Sequence, residues 1–475
     1  MLKLRPVTVT FLVAAKYLEG VKTQIAADLS PDGINAKDRL RLVPVEEGED
    51  PLDPTLYEKH LLNACHGLFK GDSVTCESLD GVQDTLTLRT MPLSAALIDI
   101  LLVEGFNAFR QYRETLPTPP FKIYTWLPVA VNSVLARCVF DAIPLAEAVS
   151  ASMGISFDEA AYQLVLVPRG EVVHNPCLPD MYDYEYLPQA FPIPRDQCGR
   201  IYIKLGRVLQ ETDGVLTFDA ADYHPEAVSA SRQWLSQTSR KIYYVGPLVP
   251  RNMTEQGSDE IFQFLDRHLA ARGERSVVYI SFGSLFWPTD PAKVHAVLDV
   301  LIERRVPFVL ANSSAFTGLL DESKKRLAEY GDAILTDWVP QQAILGHPAT
   351  GWCLTHGGHN TVLECALAGV PMIVWPIFTD QPGNAIHLTD HLDVAYELLE
   401  VRSGSGLGPI YRTGNTPIGT VAAVRAEMGA VLDHAFGADG EAKRARLRPL
   451  RETLARAWAD DGVARREVEA FLNDL

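Results

Sequence analysis

The 475-residue sequence contains no CxxC pair and no Cys/His grouping at zinc-binding spacing, which removes the zinc-ribbon and thioredoxin-like classes. Its seven cysteines, at 65, 76, 138, 177, 198, 353 and 365, are odd in number and scattered. That pattern excludes a disulfide framework and fits small apolar side chains in a reducing compartment. No apolar run has membrane-spanning length. The most apolar region, 121–144, is interrupted by Asn132, Arg137 and Asp141, so no integral membrane anchor is expected. The first residues show no cleavable signal pattern, and the expected location is cytoplasmic. Positive charge is scarce: 43 Lys and Arg stand against 60 Asp and Glu, a net charge of −17. That balance argues against nucleic acid or an anionic membrane as a general partner. No Asp-x-Asp pair flanks a nucleotide-like loop, so no metal is expected at the reaction centre. Internal repeats and low-complexity tracts are absent.

What is present is an ordinary globular composition, 47% hydrophobic and 22% charged, in a chain too long for one core. Short apolar runs alternate with helical patterns, which predicts an α/β fold with two doubly wound, Rossmann-like domains facing a cleft. In the first half the expected strands are 7–13, 37–45, 93–102, 121–126, 216–218 and 241–245. Helices are expected over 57–69, 72–79, 130–140 and 150–161, and a long surface loop over 168–194. Gly246-Pro247-Leu248-Val249-Pro250 breaks regular structure and opens a polar stretch, which puts the domain boundary there. The expected division is 1–245, a linker 246–258, and 259–475. The second half reads as helix 260–271, strands 276–281, 307–312 and 333–336, and three closing helices near 421–436, 441–459 and 463–475.

One stretch, Trp338–Gln381, reads WVPQQAILGHPATGWCLTHGGHNTVLECALAGVPMIVWPIFTDQ. Apolar runs at 351–355 and 372–375 flank a glycine turn and a helical segment, 360–368, whose Val362, Leu363, Ala366 and Leu367 share a face. Gly369 and Pro371 suit its end. This is a βαβ unit whose helix aims free N–H groups and the positive end of its dipole at a glycine loop, a good seat for phosphate. His356, Gly357, Gly358, Asn360 and Thr361 can donate to phosphate oxygens. Glu364, one turn on, would repel phosphate but can accept from both hydroxyls of a ribose. Trp338 offers a flat face to a base, and Gln341 an amide to its edge. Asp380 and Gln381 stand at the carboxyl edge of the expected sheet, where a carboxylate and an amide can hold sugar hydroxyls.

These residues resemble the signature box of the family 1 UDP-glycosyltransferases. W-x-P-Q, H-P, T-H-G-G-x-N-T, L-E, G-V-P, W-P and D-Q occur in order over the whole stretch, a far more specific signal than a lone glycine motif. The resemblance implies a GT-B fold in which the C-terminal domain binds a UDP-sugar donor and the N-terminal domain shapes a pocket for a small lipophilic acceptor. No cofactor is implied, the UDP-sugar being a co-substrate. It also implies that Trp338 stacks on uracil, Gln341 helps hold the uridine, His356, Asn360 and Thr361 hold the diphosphate, Glu364 binds ribose, and Asp380 and Gln381 bind the sugar. Ser284, in the Phe282-Gly283-Ser284 turn after a strand, is implied to touch the diphosphate, and the last helix to cross back onto the first domain. His359 stands where plant members carry Trp. Gln381 fits members that use UDP-glucose, and the HGGHN and MYDYE runs look more like fungal members.

Inverting transfer needs a base for the acceptor hydroxyl. The family's base is a His after its first strand, supported by an Asp at the end of a later one. Asp99 in AALIDILL matches the supporting Asp, while the earliest histidines, His60 and His66, carry no motif. The run VTVTFL begins at residue 7 where the resemblance would place a second strand. One βα unit is thus expected to be absent, leaving two strands of the N-terminal sheet with unpaired inner edges. The leading reading is a UDP-sugar-dependent glycosyltransferase moving a hexose, glucose by the resemblance, to a hydroxyl with inversion. A second reading is a UDP-sugar-binding protein with impaired or no catalysis. A third is another two-domain enzyme of UDP-sugars, such as an epimerase.

Overall fold

The computed structural model describes the chain except for residues 3, 30–38, 47–54, 89–92, 117–120, 250–258 and 313–317. Most of the expected linker, and the loop after the second strand, lie outside the described residues.

The first half holds two separate four-stranded sheets. In one, β1 (Val9–Ala14) lies parallel to β2 (Leu40–Val45), which continues into β3 (Val74–Glu77) and β4 (Gln83–Leu86). The other has the order β10-β9-β6-β5, made of β5 (Ala95–Asp99), β6 (Lys122–Leu127), β9 (Gly214–Thr217) and β10 (Lys241–Tyr244), all parallel. A two-residue pair, β7 (Val172–Val173) and β8 (Met181–Tyr182), forms a small hairpin between them in sequence. The helices of this half include α1 (Leu18–Leu29), α2 (Thr55–Lys70), α3 (Val131–Arg137) and α4 (Pro225–Ser236). Among the described residues, strands β1 and β5 each pair on one side only, as expected of two inner edges without a strand between them. Phe11 on β1 and Leu97 on β5 are 45% and 43% exposed.

The second half is one six-stranded parallel sheet, order β13-β12-β11-β14-β15-β16. Its strands are β11 (Val277–Ser281), β12 (Phe308–Ala311), β13 (Ala333–Thr336), β14 (Thr350–Thr355), β15 (Met372–Val374) and β16 (Ala395–Glu397). β11, β12, β14 and β15 are buried at every residue, because helices cover both faces of the sheet and only continuous apolar runs fit there. Val278, Ile280, Phe308, Leu310, Trp352 and Leu354 pack one face; Val277, Tyr279, Val309, Cys353 and Val374 pack the other. The helices that carry the site are α5 (Gln341–Gly346), α6 (His359–Ala368) and α7 (Gln381–Ile386). The last helix, α8 (Val463–Asn473), returns to the first half. Phe471 packs edge-on against Tyr124 at 4.9 Å, and Arg232 and Lys241 pair with Glu467 and Asp474, each at 2.7 Å.

Three expectations need correction. Residues 72–79 are not helical: Val74–Glu77 pairs with Gln83–Leu86 as a hairpin turned at Gly81, whose φ is +78°. The β-branched pair Val74-Thr75 and that glycine favour the strand. Residues 150–161 form the end of one helix, Ile143–Met153, and the start of another, Phe157–Leu166, divided by left-handed Gly154. Residues 168–194 are not a surface loop throughout, because Glu185, Tyr186 and Gln189 are buried. The Gln189 amide donates to the Pro376 carbonyl at 2.9 Å and accepts from Thr289 N–H at 3.1 Å. Composition marked this segment as irregular but carried no sign that a neighbouring domain covers it.

Candidate donor-binding site

The site is built on the crossover from β14 through Gly357-Gly358 into α6. Gly357 has φ +83°, and a Cβ there would lie 2.7 Å from Val374 Cγ1. The turn therefore needs glycine both for its conformation and for its closeness to β15. A Cβ on Gly358 would meet His356 Nε2 at 2.3 Å, and one on Gly283 would meet His356 Cε1 at 2.9 Å. The His356 ring is thus wedged between the turn after β11 and the turn after β14. Burial lowers its pKa to about 4, so it serves as a neutral hydrogen-bonding group. The N-cap residue Gly358 supplies no side-chain cap and no acidic residue sits in the first turn of α6; the Asp380 carboxylate takes the His359 N–H at 3.3 Å, which leaves the following N–H groups of that turn for an anion. Asn360 is exposed and Thr361 is buried there, and Ser284 is exposed on the facing turn after β11.

One turn along α6, Glu364 accepts from the Gln341 amide, and from Gln342 Nε2 at 3.3 Å. Gln341 Oε1 in turn accepts from Tyr279 O–H at 2.8 Å. Burial raises the Glu364 pKa against these two amide bonds, which lower it. Three residues before Gln341, Trp338 is 59% exposed, free to present its ring at the rim.

The other side of the α6 amino end is more tightly built. Asp380 Oδ2 accepts from His359 N–H at 3.3 Å, from Ala130 N–H at 3.3 Å and from Asn384 Nδ2 at 3.2 Å. Ala130 belongs to the first half of the chain, so this carboxylate ties the two halves together. Gln381 Oε1 accepts from Ile377 and Phe378 N–H at 2.8 and 3.0 Å. Its Nε2 is buried with no partner among the described residues, and so are His359 Nδ1, Asn384 Oδ1 and Asn132 Oδ1. A buried polar atom left without a hydrogen bond costs about 1–3 kcal/mol.

Sequence reading missed Asp219, which follows β9 in the run TFDAADYH. Its Oδ1 accepts from His359 Nε2 at 2.7 Å and its Oδ2 from Val131 N–H at 3.1 Å. Desolvation pushes the two pKa values toward the neutral forms, but the mutual attraction wins: Asp219 is lowered and His359 raised. A carboxylate directly after a strand's carboxyl end was the one available signal. Asp99 does not join this cluster. It sits at the end of β5, where its Oδ1 accepts from Leu101 N–H at 2.9 Å, and burial raises its pKa. Among the described residues no histidine pairs with it. A cavity of about 340 Å³ lined by Arg275, Trp352, Glu441 and Arg444 does not include any of the signature residues.

Residues 212–402 match the family model described as UDP-glucoronosyl and UDP-glucosyl transferase. UDP-glycosyltransferase eriJ of Hericium erinaceus is 30% identical over 490 aligned positions, spanning 98% of this chain and 92% of the relative. The chain belongs to this UDP-glycosyltransferase family. Hydroquinone glucosyltransferase of Rauvolfia serpentina is 29% identical over 53% of the chain and 52% of its own length. Among solved structures, Medicago truncatula UGT71G1, complexed with UDP-glucose, superposes with TM-score 0.66 at 18% identity, over 100% of this chain and 99% of that one. Phytolacca americana UGT2, complexed with UDP-2fluoro-glucose and pterostilbene, gives 0.64 at 17% identity, over 99% of each. These likenesses establish the GT-B fold for a member of the transferase family. No helix among the described residues is long and apolar enough to cross a membrane.

Proposed function

We propose that this glycosyltransferase moves a hexose, with glucose the first candidate, from its UDP ester to a hydroxyl of a small lipophilic acceptor, inverting the anomeric centre. The observation that carries the proposal is the juxtaposition at the start of α6. The amino end of α6, whose N-cap glycine supplies no side-chain cap, meets Asp380, which takes the His359 N–H, and the next residue, Gln381, whose buried Nε2 has no partner among the described residues; the helix end suits a diphosphate and the Asp380-Gln381 pair suits sugar hydroxyls. UDP-glucose is the ligand of the Medicago structure and a small phenolic shares the Phytolacca one, which supports the same classes here.

In the proposed reaction Trp338 stacks on the base and Gln341 lies at its edge. Glu364 turns from its two amide partners to the ribose hydroxyls. Gly357, Gly358, Asn360, Thr361, His356 and Ser284 surround the diphosphate, and Asp380 and Gln381 hold the hexose. The acceptor oxygen bonds to the anomeric carbon as the carbon–oxygen bond to UDP breaks with its electron pair, and the hydroxyl proton passes to solvent water, since no histidine among the described residues pairs with Asp99 to take it. The positive end of α6 stabilises the charge that builds on the leaving diphosphate.

A second reading, binding without efficient transfer, is favoured by one observation: among the described residues no histidine pairs with Asp99, whose Oδ1 accepts only from Leu101 N–H. One experiment separates the two. UDP-glucose is titrated calorimetrically, and product is then sought with a panel of phenols, sterols and lipids. Binding followed by inverted glucoside supports transfer. Tight binding with no product across the panel supports the second reading, and no binding overturns both.

A further inference from the structure

Residues 185–191 belong to the first half in sequence but are built into the second. Glu185 Oε1 accepts from Tyr411 N–H at 2.9 Å. The Pro188 carbonyl accepts from Ser403 N–H at 2.9 Å, and Ala190 N–H donates to Ser403 Oγ at 3.2 Å. Leu187 joins the buried cluster that holds Phe282, Trp287 and Trp375. Phe191 stacks on Phe378, with ring centroids 6.2 Å apart. A strap from the half expected to shape the acceptor pocket is thus seated on the loops that flank the donor site.

The buried side chain of Gln189 ties two of those loops together. Its Oε1 accepts from Thr289 N–H at 3.1 Å and from Thr289 Oγ1 at 3.2 Å, in the loop after β11. Its Nε2 donates to the Pro376 carbonyl at 2.9 Å, just after β15. The Thr289 N–H only donates and the Pro376 carbonyl only accepts, so the orientation of the Gln189 amide is set. The peptide group that joins Pro376 to Ile377 is gripped at both ends. Gln189 holds its carbonyl, and its N–H donates to Gln381 Oε1 at 2.8 Å. Phe378 N–H donates to the same oxygen at 3.0 Å. Two backbone donors therefore fix which way the Gln381 amide faces, and its Nε2 is left buried with no partner among the described residues. A buried amide donor without an acceptor is a group that a ligand hydroxyl can satisfy.

We propose that Gln189 is a positioning residue for the hexose: through the 376–377 peptide it sets the orientation in which Gln381 offers Nε2 to a sugar hydroxyl. The proposal rests on the reading that the hexose of the donor lies against Asp380 and Gln381. Gln189 itself touches no substrate atom. The diphosphate turn does not depend on it, because Gly357 and Gly358 are wedged against Val374 and His356. Gln189 should therefore govern the hexose half of the donor and leave the UDP half alone.

The test titrates UDP and UDP-glucose calorimetrically into the native chain, Gln189→Glu, Gln189→Met, Gln381→Ala and the double variant Gln189→Glu/Gln381→Ala. Gln189→Glu keeps an acceptor for Thr289 but turns an oxygen toward the Pro376 carbonyl. It should bind UDP within about twofold of the native chain and UDP-glucose roughly tenfold more weakly, the scale of one lost hydrogen bond. A carboxyl donates only when protonated, so the loss should shrink in mildly acid buffer. Because Gln189 acts through Gln381, the double variant should bind UDP-glucose no worse than Gln381→Ala. Gln189→Met should show the same split between the two ligands without the pH dependence. A parallel fall of UDP and UDP-glucose, an unchanged ratio between them, or losses that add in the double variant overturns the proposal. So does failure of both Gln189 variants to fold, which makes the residue structural. A native chain that binds neither ligand overturns the donor reading instead.

Discussion

The two halves of this chain solve the same architectural problem differently. In the second half six parallel strands form one sheet, and β11, β12, β14 and β15 are buried throughout. In the first half the described strands divide mainly into two sheets, and their terminal strands β1 and β5 show the large apolar side chains Phe11 and Leu97 to solvent. Donor recognition needs backbone N–H groups and glycine turns held to fractions of an ångström, and only a sheet packed on both faces holds them so. An acceptor surface asks for shape and apolar area, which a looser scaffold can supply. Donor binding should therefore be sensitive to small changes in the second half and indifferent to larger ones at the edges of the first.

The sharpest break of that contrast is at the pair joining the halves. Asp219→Ala would leave the buried His359 ring without the carboxylate hydrogen-bonded to its Nε2, and breaking such a pair costs about 3–5 kcal/mol. Urea unfolding should show that loss, with the interdomain contact opening first. The same pair predicts a pH window. His359 gains proton affinity on folding, so its contribution is complete below the ordinary value of 6.5 and fades as pH rises through its raised folded value. Asp219 has the opposite sign: its contribution is complete above 3.8 and fades as pH falls through its depressed value. The native chain should hold its halves together best between these limits. In Asp219→Asn the alkaline weakening should vanish.

Within the rigid half, Gly357→Ala is the next largest effect. It forces a Cβ onto Val374 and a side chain into a positive-φ conformation, for a combined cost of about 2–4 kcal/mol. UDP affinity should fall with it, because the turn that carries the N–H groups must shift. Trp338→Ala separates binding from stability. The ring is mostly exposed, so melting should not move. Loss of a base-stacking face should weaken UDP binding by about 1–2 kcal/mol, read by calorimetry. If Trp338→Ala binds UDP as the native chain does, the uridine lies elsewhere.

The contrast also explains what the sequence could reveal. Buried parallel strands need unbroken apolar runs, and a tight crossover turn needs glycines before a helix, so residues 333–375 announced the strands at 333–336, 351–355 and 372–375 and the helix at 360–368 almost to the residue. The Asp219–His359 pair was invisible, because its two members lie far apart along the chain and no local pattern records a meeting across a domain interface. Residues 72–79 failed for another reason: in a short half-exposed hairpin, side-chain periodicity is too brief to separate strand from helix. The buried course of Glu185–Gln189 was unreadable because its cover comes from the other half.

The smallest predicted effect tests the looser half directly. Phe11 and Leu97 lie on unpaired edges, and each leaves more than two-fifths of its surface in water. Little transfer free energy is invested in them, so Phe11→Ser and Leu97→Ser should each change stability by less than about 0.5 kcal/mol. A comparable exchange at Val278 or Leu354, both fully buried on the six-stranded sheet, should cost several times more, since it removes apolar contacts and strands a hydroxyl in the core. Should Phe11→Ser prove as damaging as Leu354→Ser in urea melts, the edge at β1 is covered in solution, and the two halves are more alike than their strand order indicates. If it is silent while UDP affinity is unchanged, donor recognition is mechanically independent of the first sheet.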